Sequence, residues 1–164
     1  MKTICLTGMM GSGKTTVAKI LASDNNLKII DVDSLIEQGE HSTISEIFLV
    51  KGEEYFRKVE QQTIMSCFQP ENAVIALGGG AFENEQTREF LLKNSTVIYL
   101  KTSPGVILER IKNDTSRPLL HGRMNVETIT ELINKREKNY LSAHKTVLTD
   151  NKTPQQIVTE LGND

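Results

Sequence analysis

The sequence predicts an α/β fold in which a parallel sheet carries helices on both faces. Three observations predict it. Short apolar runs alternate with stretches of helical periodicity along the whole chain, as expected of successive βα units. The first apolar run is joined to the first helical stretch by "GMMGSGKTT", a loop too rich in glycine to serve packing. The length of 164 residues, with 38% hydrophobic and 24% charged, suits one folded domain with a substantial core.

The strands are expected at Thr3–Thr7, Leu27–Asp31, Val74–Leu77, Thr96–Leu100 and Thr146–Leu148, each a short run of apolar residues. Between them, Ser12–Ser23 carries Val17, Ile20 and Leu21 at helical spacing. The tetrapeptide "TISE" from Thr43 is a capping box that opens a helix to Phe48, and a second helix follows over Lys51–Phe68 after a break at Gly52. Asn84–Lys93 is polar and helical. Ser103 followed by Pro104 reads as an N-cap with proline in the first turn, opening a helix to about Lys112. Asn125–Ser142 places Val126, Ile129, Ile133 and Tyr140 on one face, and "TPQQ" from Thr153 opens the last helix. The stretch "KNDTSRPLLHGRMN", Lys112–Asn125, is polar and aperiodic, and its length suggests a functional loop or lid.

The bulk numbers exclude several function classes. A formal charge of −2 opposes broad nucleic-acid binding, which needs a basic face, but permits a local basic pocket for a small anion. No apolar run is long enough for a membrane span, and the start of the chain turns glycine-rich too early for a secretory signal, so a cytoplasmic protein is expected. Cys5 and Cys67 form no metal or redox motif and read as buried reduced thiols, and His41, His121 and His144 have no metal spacing. A monomer is the default expectation.

Gly8, Gly13, Lys14 and Thr15 satisfy G-x-x-x-x-G-K-[ST], the Walker A pattern. Glycines let consecutive N–H groups turn inward, and together with the following helix N-terminus they form a nest for phosphates. Lys14 can reach the β and γ phosphates, and the Thr15 hydroxyl can ligate Mg²⁺. Three further features lie near the carboxyl ends of expected strands, where open parallel sheets bind ligands. Asp31 and Asp33 in "DVD" could serve a metal's water shell and a hydroxyl nucleophile, or Asp33 could simply cap a helix from Ser34. Gly78–Gly80 directly follow a buried strand and suggest close backbone approach to a ligand. Arg57 lies near Phe56 and Val59, and Arg136 lies on the apolar face between Ile133 and Tyr140, an awkward place for a solvated charge. Beside a phosphate loop they suggest recognition of a carboxylate by planar forks.

"GMMGSGKTT", "DVD", "GEEYFRKVE", "LGGGA", "RPLL" and "REKNY", in this order and at these separations, resemble the shikimate kinase family over essentially the whole chain. The resemblance implies a three-layer, nucleoside-monophosphate-kinase-like P-loop fold with a five-stranded parallel sheet, helices on both faces and a lid at about 112–124, all within one domain over residues 1–164. It implies transfer of the γ-phosphate of ATP to the 3-hydroxyl of shikimate, in aromatic amino-acid biosynthesis. By the same resemblance, Gly11, Ser12, Gly13, Lys14, Thr15 and Thr16 surround the ATP phosphates, and Arg110 and Pro154 flank adenine. Thr15 and Asp31 serve Mg²⁺. Asp33, Arg57, Gly78, Gly79, Gly80 and Arg136 hold shikimate. Lys14, Asp33 and the lid residue Arg117 act in catalysis. The pattern departs near "EHSTI", where His41 stands at a position in which glycine is common.

Two other readings compete. One is a different small-molecule P-loop kinase, acting on gluconate or a nucleoside monophosphate. The other is a GTPase-like switch, which the absence of an NKxD guanine motif disfavours, since "NKRE" falls inside an expected helix and "NKTP" lacks the aspartate.

Overall fold

The computed structural model describes residues 1–112 and 125–162. One five-stranded sheet runs through it: β1 (Ile4–Thr7), β2 (Lys28–Asp31), β3 (Ala73–Ala76), β4 (Thr96–Lys101) and β5 (Lys145–Leu148). The order is β2-β3-β1-β4-β5 and every pair is parallel, with Ile4 opposite both Val74 and Thr96. The chain forms helices α1 (Lys14–Asn25), α2 (Val32–Glu40), α3 (Ile44–Cys67), α4 (Glu85–Asn94), α5 (Pro104–Ile111), α6 (Val126–Tyr140) and α7 (Pro154–Gly162).

Strand residues alternate between two cores, as the period of two requires. Leu6, Val74, Ile98 and Val147 pack with Val17 and Leu21 of α1 and Ile157 and Val158 of α7. Their neighbours Cys5, Ile75, Val97 and Tyr99 face the opposite way, against Ile36 of α2, Phe56 and Ile64 of α3, Leu91 of α4, Ile107 of α5 and Ile133 of α6. The result is three layers, helix–sheet–helix, as expected. No helix among the described residues is long and apolar enough to cross a membrane.

All five strands lie within a residue or two of their expected bounds. The break expected at Gly52 is present: α3 is two helical segments joined across a kink where Gly52 leaves helical geometry at φ 84° and ψ 168°. The capping box forms as read: Glu46 N–H donates to Thr43 Oγ1 and Thr43 N–H to Glu46 Oε2. Thr153 and Gln156 exchange the same pair of bonds at the start of α7.

Three features differ from the reading. Helix α2 begins directly at the end of β2, and its cap is Asp31, not Asp33: Asp31 Oδ1 accepts from Ser34 N–H at 3.1 Å. A single 3₁₀ turn, Ala81–Glu83, follows the three glycines. Cys5 is fully buried, which pushes its thiol up to about 12, but Cys67 is only partly buried. His41 ends α2 in the left-handed region at φ 52°, a conformation that glycine adopts at least steric cost. His144 has a structural role, its Nδ1 accepting from Val97 N–H at 3.0 Å.

Candidate active site

The loop between β1 and α1 is built by its glycines. Gly11 and Gly13 adopt φ 75° and 91°, values an L side chain rarely takes, and Gly13 caps α1 from the left-handed region without any side-chain cap bond. The first turn of α1 also contains no acidic residue. Its N–H groups and the positive end of its dipole are therefore left to an anion. The Lys14 ammonium folds back along the loop, donating to the Gly8 and Met9 carbonyls at 2.8 Å each.

Beside the loop, Thr15 Oγ1 donates to Asp31 Oδ2 at 2.7 Å. One carboxylate thus caps α2 with one oxygen and holds Thr15 with the other. Two hard oxygens side by side next to a phosphate nest fit Mg²⁺, which prefers oxygen ligands and retains most of its water. Among the described residues no cluster of three or more His, Cys, Asp or Glu forms a protein cage for a metal.

A cavity of about 270 Å³ lies against this loop, lined among others by Gly13, Lys14, Thr15, Asp31, Asp33, Gly79 and Arg110. The loop between β1 and α1, with its lysine, and the Asp33 carboxylate therefore share one space. Arg110 reaches over the loop from α5 and donates to the Gly11 carbonyl at 3.0 Å. Pro154 does not line the cavity; it is exposed at the start of α7. Asp150, in the turn before it, is held below its usual range by the Ser103 N–H and faces the charge of Arg110. Arg117 lies outside the described residues, as does nearly all of the expected lid.

The glycine triplet is a bed for charged side chains rather than a flexible turn. A Cβ on Gly78 would stand 2.6 Å from Glu60 Oε2 and 2.9 Å from Asp33 Oδ1. On Gly79 it would stand 3.5 Å from Arg136 Nη1, and on Gly80 2.5 Å from Arg57 Nη2. The chain thus brings Asp33 from α2, Arg57 and Glu60 from α3, and Arg136 from α6 onto one strip of side-chain-free backbone. Arg136 is 5% exposed, with the Met9 sulfur 4.0 Å from Nη1 and the Tyr140 hydroxyl beside the guanidinium. No carboxylate lies at salt-bridge distance from it among the described residues. A guanidinium so buried and so poorly matched is a strong demand for an anion.

Arg57 is paired with Glu60 at 2.9 Å and more loosely with Glu53 at 3.6 Å. Glu60 is 3% exposed, and burial pushes its carboxyl up against the opposing pull of the Arg57 guanidinium. Its Oε2 has no hydrogen-bond partner among the described residues. Glu60 is a site residue that the sequence reading missed. The signal was present: it stands four residues after Phe56 and four before Ile64, both buried, so it is a charge on the apolar stripe of α3. The same reasoning had marked Arg136.

A family model described as shikimate kinase matches residues 10–164. A shikimate kinase of Sulfurihydrogenibium sp. (strain YO3AOP1) is 43% identical over 161 residues, covering 98% of this chain and 96% of that protein. One from Bacillus cereus (strain AH187) is 38% identical over 161 residues, covering 98% and 96%. Among solved structures, the shikimate kinase of Acinetobacter baumannii in complex with shikimate superimposes with a TM-score of 0.96 at 32% identity, covering 99% of this chain and 92% of that one. A gluconokinase of Sinorhizobium meliloti 1021 reaches a TM-score of 0.62 at 16% identity, which marks a shared fold alone.

Proposed function

This chain belongs to the shikimate kinase family, and from that premise we propose how its residues transfer the γ-phosphate of ATP to the 3-hydroxyl of shikimate. The observation that carries the reading is the near-complete burial of Arg136 beside Gly79, with Arg57 over Gly80 and no carboxylate bound to Arg136 among the described residues. Two guanidiniums facing one strip of bare backbone suit a planar carboxylate, as neither a neutral sugar nor a phosphate-free surface would require.

In this reading the loop N–H groups, the start of α1 and Lys14 receive the ATP phosphates. Lys14 exchanges its two carbonyl partners for phosphate oxygens, so its cost of leaving them is small. Gly11, Ser12, Gly13 and Thr16 complete that cradle, and Arg110 and Pro154 border the nucleoside. Thr15 and Asp31 hold Mg²⁺, which when bound neutralises charge on the phosphates. Shikimate lies along Gly78–Gly80, its carboxylate between Arg57 and Arg136. Its 3-hydroxyl accepts orientation from Asp33. The hydroxyl oxygen forms the new bond to phosphorus, the bond from phosphorus to the bridging oxygen breaks, and ADP departs. Asp33 holds the hydroxyl proton, as orienting acceptor or base. Glu60 keeps the Arg57 guanidinium in place. Arg117 is assigned to the phosphates by its family motif. Catalysis is then positioning plus charge stabilisation, as phosphoryl transfer demands. We read the chain as one domain, monomeric and cytoplasmic, with no nucleic-acid or membrane partner.

The test is a coupled assay of ADP release. Release should depend on shikimate and should fall sharply with an acceptor whose carboxylate is esterified. Release that depends on gluconate or a nucleoside monophosphate instead would overturn the assignment.

A further inference from the structure

Helix α6 ends on Tyr140, one turn beyond Arg136. Tyr140 is wholly buried, and its ring stacks on Tyr99 of β4 with centroids 4.8 Å apart and an interplanar angle of 24°. Its hydroxyl leaves that stack to donate to the Gly79 carbonyl. The Arg136 guanidinium lies against the same hydroxyl oxygen. A phenol in a purely packing role has no need of this contact, since phenylalanine would fill the same space.

The carbonyl it holds belongs to the peptide that joins Gly79 to Gly80. A peptide is planar and, when trans, its carbonyl and its N–H point in opposite directions. Fixing the Gly79 carbonyl toward α6 therefore fixes the Gly80 N–H away from it. Neither Gly79 N–H nor Gly80 N–H donates to a backbone or side-chain acceptor among the described residues. The two glycines also lie against different arginines, Gly79 beside Arg136 and Met10 N, and Gly80 beside Arg57. This peptide is the central plane of a turn closed by Ala81 N–H donating to the Gly78 carbonyl at 3.1 Å, and with glycine at both central positions such a plane can flip while that bond is kept.

We propose that Tyr140 is a positioning residue for the acceptor: its hydroxyl sets the Gly79–Gly80 peptide so that the Gly80 N–H adds a third donor to the carboxylate held by Arg57 and Arg136. This rests on the reading of those arginines as a carboxylate clamp. It explains why a tyrosine occupies a fully apolar stack at the end of α6. Burial pushes its phenol up to about 12, partly opposed by Arg136, so it stays a donor across the working range.

Tyr140→Phe tests it, measured with shikimate and with shikimate methyl ester, alongside Tyr99→Phe. The expected result is a rise of about tenfold in KM for shikimate, the worth of one hydrogen bond to a charged group. The kcat and the KM for ATP should stay within about twofold, and the preference for acid over ester should shrink by the same factor as KM rises. Tyr99→Phe should keep native values. Native shikimate KM in Tyr140→Phe overturns the proposal. So does an equal loss with acid and ester, or recovery of the variant only as unfolded protein, since each makes the hydroxyl structural. A native protein that releases no shikimate-dependent ADP overturns the functional reading itself, a failure visible before any variant is compared.

Discussion

Gly80→Ala separates stability from binding with a single methyl group. Gly80 has φ −101° and ψ −1°, a conformation open to any residue, so alanine meets no backbone strain. What it meets is Arg57. The new Cβ would stand 2.5 Å from Nη2 and 2.6 Å from both Cζ and Nη1, where ordinary contact begins at 3.4 Å. The guanidinium must retreat by about 1 Å. It is the end of a flexible side chain, so the fold can absorb the movement. Losing a glycine also restricts the unfolded chain, which favours the native state by about 0.4–1 kcal/mol. The melting temperature should therefore hold or rise slightly. Shikimate binding should not hold. A displaced guanidinium forfeits one charge-assisted bond, about 1.5–3 kcal/mol, so the dissociation constant should rise about ten- to hundredfold. Gly80 does not line the cavity beside the phosphate loop, so ATP affinity should be native. Calorimetric titration with each ligand and a melting curve suffice. Native shikimate affinity would refute the placement of Arg57 on the acceptor, and a large loss of thermal stability would refute the claim that this crowding is absorbed by a side chain.

Three further substitutions probe the neighbours. Asp33→Asn should cut turnover strongly while ATP still binds, because the amide keeps the size and loses the charge that holds the hydroxyl proton; near-native kcat at saturating shikimate would remove Asp33 from the chemistry. Arg136→Lys should weaken shikimate binding about ten- to hundredfold although the charge is kept, because an ammonium cannot supply two parallel N–H bonds. A lowered melting temperature with native affinity would make that arginine structural. Glu60→Gln should raise the KM for shikimate as Arg57 loses its ionic partner. The same substitution has a signed effect on stability. Burial raises the folded pKa of Glu60 above its ordinary 4.5, so its contribution favours the fold below that value and is lost as pH rises through the raised one. The neutral amide should therefore melt at or above the native protein near pH 7, with the gap closing below about pH 4.5. A gap that widens on acidification would contradict this.

The parts of the molecule legible in the sequence are those governed by local physics. Five apolar runs gave five strands, the capping box at Thr43 formed where it was read, and the start of the last helix read at Thr153 is closed by a second such box. The phosphate loop was legible because positive φ values and a bare helix start demand a composition seen nowhere else in the chain. Arg136 was legible as a charge on an apolar helix face. Helix α2 was legible only as an alternative, a helix from Ser34 capped by Asp33, although Val32 and Ile36 mark its buried face. The identity of that cap was not legible, since Asp31 and Asp33 are equally good acceptors and only the bend at the end of β2 chooses between them. Glu60 carries the same signal as Arg136, a charge on an apolar helix face, and was passed over; the Tyr140 hydroxyl was missed for a different reason. Its partner, the Gly79 carbonyl, comes from a distant segment, and no local pattern records such a meeting.

The place of β1 at the centre of the sheet carries a consequence for how the chain is made. Its hydrogen-bonding neighbours are β3 and β4, so Ile4 must wait for Val74 on one side and Thr96 on the other. During synthesis the first strand leaves the ribosome long before either partner exists. Loop closure over such separations is slow, and the strand is an exposed apolar edge until it happens. A nascent chain that stops short of β4 therefore has its nucleotide-binding motif fully written and no means of shaping it.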